Sequence, residues 1–171
     1  MEQILYETDE ENRYRYVLGK GGENPLICIG VNPSTATPEK PDQTIKAVER
    51  RAKQNGYDGW IMVNLYPFRA TKPDDLPKKY DPKVLEKNKK VIGNILKLYP
   101  KAEIWAAWGA LIEKRGYLWE CLGAILQVIE KRQWVTFGAH TKKGHPHHPL
   151  YLKKDLPKEV WSAEAYYNRR K

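Results

Sequence analysis

Leu26-Ile-Cys-Ile-Gly-Val31, followed at once by Asn32-Pro33-Ser34-Thr35, decides how the rest of the chain reads. Six apolar or small residues form an uncharged run of strand length. The run does not alternate with polar residues, so both faces of such a strand are buried, as in the parallel sheets of α/β proteins. Asn32-Pro33 stops it, because proline cannot donate to a ladder and asparagine favours a turn. Trp60–Leu65 (WIMVNL), Glu103–Ala107 (EIWAA) and Gln133–Gly138 (QWVTFG) repeat the pattern further along.

Segments of helical spacing lie between these runs. Asp42 or Thr44 would cap a helix ending near Asn55-Gly56. Asp81-Pro82 opens a second, with Asp as cap and Pro at the first helical position. Its apolar face is Val84, Leu85, Val91, Ile92, Ile95, Leu96 and Leu98, and Pro100 ends it. Ala110–Leu126 reads as a third helix. Strands alternating with helices imply parallel pairing, right-handed crossovers and helices on both faces. The expected fold class is therefore α/β, a three-layer αβα sandwich around a central, mainly parallel sheet of about four strands. The 171 residues fit one domain. Residues 1–24 form a lead-in or hairpin, 25–150 the α/β core, and 151–171 a basic C-terminal segment. A last helix is expected after Pro157 and a short basic tail over Asn168–Lys171.

Composition excludes several classes. No apolar run approaches the roughly 18 residues of a membrane span, and the acidic Met1–Glu11 is no signal peptide, so a cytoplasmic protein is expected. Cys28 and Cys121 sit in apolar runs without paired spacing and read as buried thiols. Two cysteines are too few for a thiolate-held cluster. His140, His145, His147 and His148 lack the helical two-His arrangement with a Glu, so no metal and no cofactor is expected. The net charge of +9 favours polyanionic partners such as DNA or nucleotides, although solubility alone explains the same excess.

The polar residues fall in one place. Asn32-Pro33-Ser34-Thr35 follows the first apolar strand and Asn64 closes the second, with Tyr66, Phe68 and Arg69 beyond it. Trp108-Gly109 follows the third, and His145-Pro-His-His-Pro-Leu150 follows the fourth. Each lies at the carboxyl end of a parallel strand, where open α/β sheets bind ligands. The bland readings stand beside this one. Asn32-Pro33 is also an ordinary turn, Asn64 a satisfied core amide, Arg69 a surface arginine, and Lys142-Lys143 a solvated loop.

These segments carry a resemblance. GVNPST at Gly30–Thr35, MVNLYPFRA at Met62–Ala70, IWAAWGALIEKRG at Ile104–Gly116 and HPHHPL at His145–Leu150 resemble, in order, the motifs of the uracil-DNA glycosylase superfamily. At closer range, NPSTA, NL…RAT, AWG and HPLY resemble a bacterial and phage family, domain of unknown function 1643, which has no assigned activity. The superfamily resemblance implies that Asn32 positions a water for attack at the sugar C1′. It implies that Asn64 reads the Watson–Crick edge of an extruded base, and that His145 or His148 stabilises the departing base. Leu150 or Tyr151 would wedge the duplex. The aromatic that stacks on the base is not evident between Ala36 and Asp42, so Tyr66 or Phe68 would serve instead, with Ser34 beside it, and Arg69, Lys142 and Lys143 would meet phosphate. Asn32 is no general base, which departs from the classical pattern and would slow any hydrolysis.

Three functions fit these residues. The first is nucleobase recognition on DNA or nucleotides, with N-glycosidic hydrolysis of a modified or mismatched base as the implied chemistry. The others are a non-catalytic nucleic-acid-binding module and an enzyme of small-nucleotide metabolism.

Overall fold

In the computed structural model, which describes residues 3–170, one seven-stranded sheet organises the chain. A hairpin, β1 (Gln3–Thr8) and β2 (Arg15–Gly21), comes first, and then β3 (Pro25–Gly30), α1 (Gln43–Gln54) and β4 (Gly59–Asn64). The chain continues through α2 (Pro82–Leu98), β5 (Ile104–Ala106), α3 (Tyr117–Val128), β6 (Trp134–Phe137), β7 (Lys158–Trp161) and α4 (Ala163–Arg169). The strand order is β1-β2-β4-β3-β5-β6-β7.

The sheet is mixed rather than mainly parallel, and larger than expected. β3 pairs in parallel with β4 and β5, and β5 with β6, while β1–β2, β2–β4 and β6–β7 are antiparallel. The edge strands escape a reading of apolar runs for a physical reason. β1 and β7 are largely exposed, so they carry polar side chains and little apolar signal. β7 also occupies the start of the helix expected after Pro157. That helix begins only at Ala163, capped by Ser162. Of the expected basic tail, Lys171 lies outside the described residues.

Two cores flank the sheet. Ile27, Ile29, Val31, Ile61, Val63 and Leu65 face α2, α3 and α4, whereas Leu26, Cys28, Trp60, Met62, Trp105 and Ala107 face α1. The period-two alternation of a strand sends successive residues to opposite cores. From β3 the chain steps one way along the sheet to β4 through α1. It then steps the other way, β4 to β5 to β6, through α2 and α3 on the opposite face. Reversing direction while keeping right-handed crossovers forces that change of face. Open α/β sheets hold ligands at such a reversal, which here falls at the carboxyl ends of β3 and β5.

The caps follow the sequence. Asp42 accepts from Ile45 N–H and Asp81 from Lys83 N–H, with Pro82 opening α2. The helix expected over Ala110–Leu126 divides into a 3-10 segment, Gly109–Lys114, and α3. Arg115 between them is extended, and its guanidinium donates to the carbonyls of Asp74, Leu76 and Pro77. A tertiary contact therefore breaks a locally helical stretch. Both cysteines are free and buried, and burial pushes the Cys121 thiol up to about 12. Among the described residues, no helix is long and apolar enough to cross a membrane, and no group of three His, Cys, Asp or Glu is placed to hold a metal ion.

Candidate functional site

The strands β3 and β4 continue their association past their ends. Leu65 N–H donates to Gly30 O at 2.8 Å, Tyr66 N–H to Val31 O at 3.1 Å, and Ala70 N–H to Pro33 O at 2.8 Å. Asn32 and Asn64 are thereby held on the same edge of the sheet. The Asn32 side chain is half-buried and points its Nδ2 at two carbonyls, Pro33 O and Ala70 O, both at 2.9 Å. Both amide hydrogens are used, and among the described residues Oδ1 has no hydrogen-bond partner. An acceptor fixed in this way can orient a water, although an amide cannot take its proton at neutral pH.

Asn64 is more unusual. It is 1% exposed, yet among the described residues neither Oδ1 nor Nδ2 has a hydrogen-bond partner. It pairs in register with Gly30, where an added Cβ would stand 2.9 Å from Asn64 Oδ1. The carboxamide thus lies over a glycine on the α1 face, alongside Met62. From the other face Asn88, fully buried on α2, donates from Nδ2 to Asn64 O at 2.9 Å and to Leu65 O at 3.4 Å. Asn88 fixes the backbone at the strand end and leaves the Asn64 side chain unspent.

The histidine loop crosses the end of β5. Gly109 N–H donates to Pro146 O at 2.8 Å, and Gly109 has φ +65, with His148 so close that a Cβ there would meet it at 3.3 Å. His148 Nδ1 accepts from Leu150 N–H at 3.2 Å, which assigns the remaining ring proton to Nε2. Burial holds His148 below the ordinary imidazole value, with Asp42 offsetting part of the effect. The following turn, Pro149–Tyr151, packs against α1. A cavity of about 240 Å³ opens here between Gly109, Leu111, His148 and Tyr151. Leu150 is exposed, and Tyr151, 76% exposed, lies against the His148 ring at 5.5 Å.

Other sequence candidates fall on the opposite face. His145 is buried and uses both ring nitrogens, Nδ1 with Tyr166 Oη at 2.6 Å and Nε2 with Glu113 at 2.7 Å. Trp108 Nε1–H donates to the same Tyr166 oxygen at 3.1 Å. Tyr66 belongs to the α2–α3 core, where its hydroxyl accepts from Asp81 N–H, and Phe68 packs on Tyr14 there. The site on the α1 face therefore draws no stacking aromatic from either residue. Lys142 and Lys143 are exposed on a turn that Arg169 holds by the carbonyls of Lys143 and Gly144, and Lys143 pairs with Glu113. Ser34 bonds Thr71 at 2.9 Å, and Arg69 donates to Ser34 O at 2.6 Å, so both remain with Asn32 and Asn64.

Two residues escaped the sequence reading. Asn88 interrupts the apolar stripe of α2 at a core position (84, 85, 88, 91, 92), and Arg15 opens the otherwise apolar Tyr16–Leu18 strand. A polar residue at the buried phase of an element was the available signal in each case.

This architecture is a mixed α/β sheet with polar residues at the strand ends where the strand order reverses. Residues 15–150 match the family described as "Protein of unknown function (DUF1643)", and the chain belongs to that family. No curated protein and no solved structure shows significant similarity to it.

Proposed function

We propose that the crevice on the α1 face recognises a nucleobase, in DNA or in a nucleotide, within a fold of the uracil-DNA-glycosylase type. One observation carries this reading. Asn64 presents a buried donor and a buried acceptor side by side, both without partners among the described residues, and Gly30, which has no Cβ, leaves room for the carboxamide beside Met62. Buried polar atoms are ordinarily satisfied, and a pyrimidine edge offers the complementary acceptor and donor. The chemistry proposed is hydrolysis of an N-glycosidic bond. The C1′–N bond breaks with its electron pair leaving on the base, and a water held by Asn32 Oδ1 supplies the hydroxyl at C1′. The proton of that water passes to solvent and the departing base takes one up. His148 Nε2–H would face the charge gathering on the base. Asn32 is an amide and no base, which favours, as a second reading, a module that binds the base without cleaving it.

Asn64→Ala tests the assignment when ligand affinity and thermal stability are measured on the same samples. Losing one buried hydrogen-bond partner on the ligand costs about 1–3 kcal/mol, so affinity for a uracil-containing oligonucleotide or nucleotide should fall about 5- to 150-fold with folding retained. Asn64→Asp should reject the same edge. Unchanged affinity alongside lost stability would reduce Asn64 to a core amide. Glycosylase assays across deaminated and modified bases then separate catalysis from binding.

A further inference from the structure

The arginines beside this crevice are not accounted for by the base-recognition residues. Arg15 is 2% exposed, and among the described residues its guanidinium makes one hydrogen bond, from Nη1 to Ala36 O at 3.3 Å. Arg69 Nη1 donates to the same Ala36 O at 3.2 Å as well as to Ser34 O. Two like charges thus meet over one carbonyl. The Nε of each is buried and unpartnered, and among the described residues neither arginine forms an ion pair. Asp42 offsets part of the repulsion at Arg15 but spends its Oδ1 on capping α1. Burial, and after it Arg69, pushes the Arg15 guanidinium down to about 10.

A buried, unpaired charge is strongly unfavourable unless something compensates it. Guanidinium forks match tetrahedral oxyanions, and two forks with idle Nε–H groups call for more acceptor oxygens than a carboxylate has. The pair lies on the same sheet edge as Asn32 and Asn64. Arg15 N–H bonds Pro67 O just past β4, and the Ser34–Ala36 carbonyls follow β3. On the outer side Arg69 Nη2 reaches the hydroxyl of Tyr6, itself exposed on β1, which leaves Arg69 as the approach.

We propose that Arg15 and Arg69 together bind a phosphoryl group, the phosphate attached to the nucleoside whose base Asn64 reads. The nucleoside part rests on the function proposed above, whereas the anion site stands on the arginines alone. The first test uses inorganic phosphate at constant ionic strength, with chloride and acetate as controls, and follows the melting temperature. Phosphate should raise the wild-type melting temperature by several degrees, well beyond either control. Arg69→Gln should abolish the rise, and Asn64→Ala should keep it. Arg15→Met, where it folds, should be insensitive to phosphate; Arg69→Gln carries the test where it does not. Binding of thymidine 5′-monophosphate and of a five-nucleotide single strand, each weakened tenfold or more by Arg69→Gln, then shows by the tighter of the two whether the phosphate comes from a free nucleotide or from nucleic acid. A phosphate rise no larger than that of chloride, or one retained by Arg69→Gln, overturns the site and leaves the arginines as a clamp on the Ser34–Ala36 loop. A phosphate response without any base-dependent binding refutes the nucleobase reading and leaves the anion site standing.

Discussion

At the scale of single residues, the polar atoms on the crevice edge divide into those that are spent and those that are not. The Nδ2 groups of Asn32 and Asn88 are spent on backbone carbonyls, so they set positions, while Asn88 Oδ1 is buried without a partner among the described residues. Asn64 and Arg15 keep buried polar atoms idle, which a fold tolerates only against a cost of about 1–3 kcal/mol for each neutral group. His148 adds a dependence on pH. Its folded pKa is lowered from 6.5, first by burial, while the unfolded imidazole keeps the ordinary value. Between the two values the unfolded chain binds the proton and the folded chain does not, so stability rises with pH across that window. Acidifying from pH 7 through about 6.5 and below should therefore lower the melting temperature, and His148→Asn should flatten that part of the profile. His140 is also held low by burial and pushes the same way, so the wild-type-minus-variant difference is the measure. Identical profiles would mean that His148 charges freely in the folded protein.

At the scale of elements, the C-terminal segment is tied down by a chain of polar contacts rather than by its own helical propensity. Tyr166 on α4 accepts from Trp108 Nε1 and bonds His145, which in turn bonds Glu113 on the 3-10 segment. Trp119 stacks on Tyr166 at 5.4 Å, and Trp161 from β7 lies 5.2 Å from it. Tyr166→Phe keeps the ring and strands two buried partners, Trp108 Nε1 and His145 Nδ1. The expected loss is about 1–3 kcal/mol for the desolvated groups, read from urea unfolding at pH 7, with base or phosphate binding on the far face of the sheet unchanged. A stability change below about 0.5 kcal/mol would show that water satisfies both atoms. None of this network was readable from the chain. His145 and Tyr166 are far apart in sequence, and a buried histidine looks the same as an exposed one until the fold pairs it.

At the scale of the whole molecule, the proposed function would draw on two features together, the charge of +9 for attraction to polyanions and the reversal of strand order for the place that holds them. Under the proposal of nucleic-acid binding, affinity for a ten-nucleotide single strand should fall about tenfold or more between 50 and 200 mM salt, because each neutralised phosphate releases counterions. Fluorescence anisotropy at the two salt concentrations measures it. Absence of binding at the lower salt would point to a free nucleotide as the ligand.

What the sequence determined by itself was local. Apolar runs ending in Asn-Pro or Asn-Leu define buried strands, Asp42 and Asp81 cap helices, and alternation of the two kinds of element puts Asn32 and Asn64 at strand ends. These follow from burial, capping and backbone sterics, which act over a few residues. Only the tertiary structure decided the rest. It joined the N-terminal hairpin to the sheet through β2 and added β7 at the other edge, a strand hidden from the sequence because exposed edge strands need few apolar side chains. It extended Arg115 toward the Asp74–Pro77 carbonyls, against local helical preference. It sent His145, Trp108 and Tyr66 to one face of the sheet and Asn64 and His148 to the other. That last division rests on the period-two alternation of strands together with the register at which each loop leaves its strand, and one residue of register moves a side chain to the opposite core.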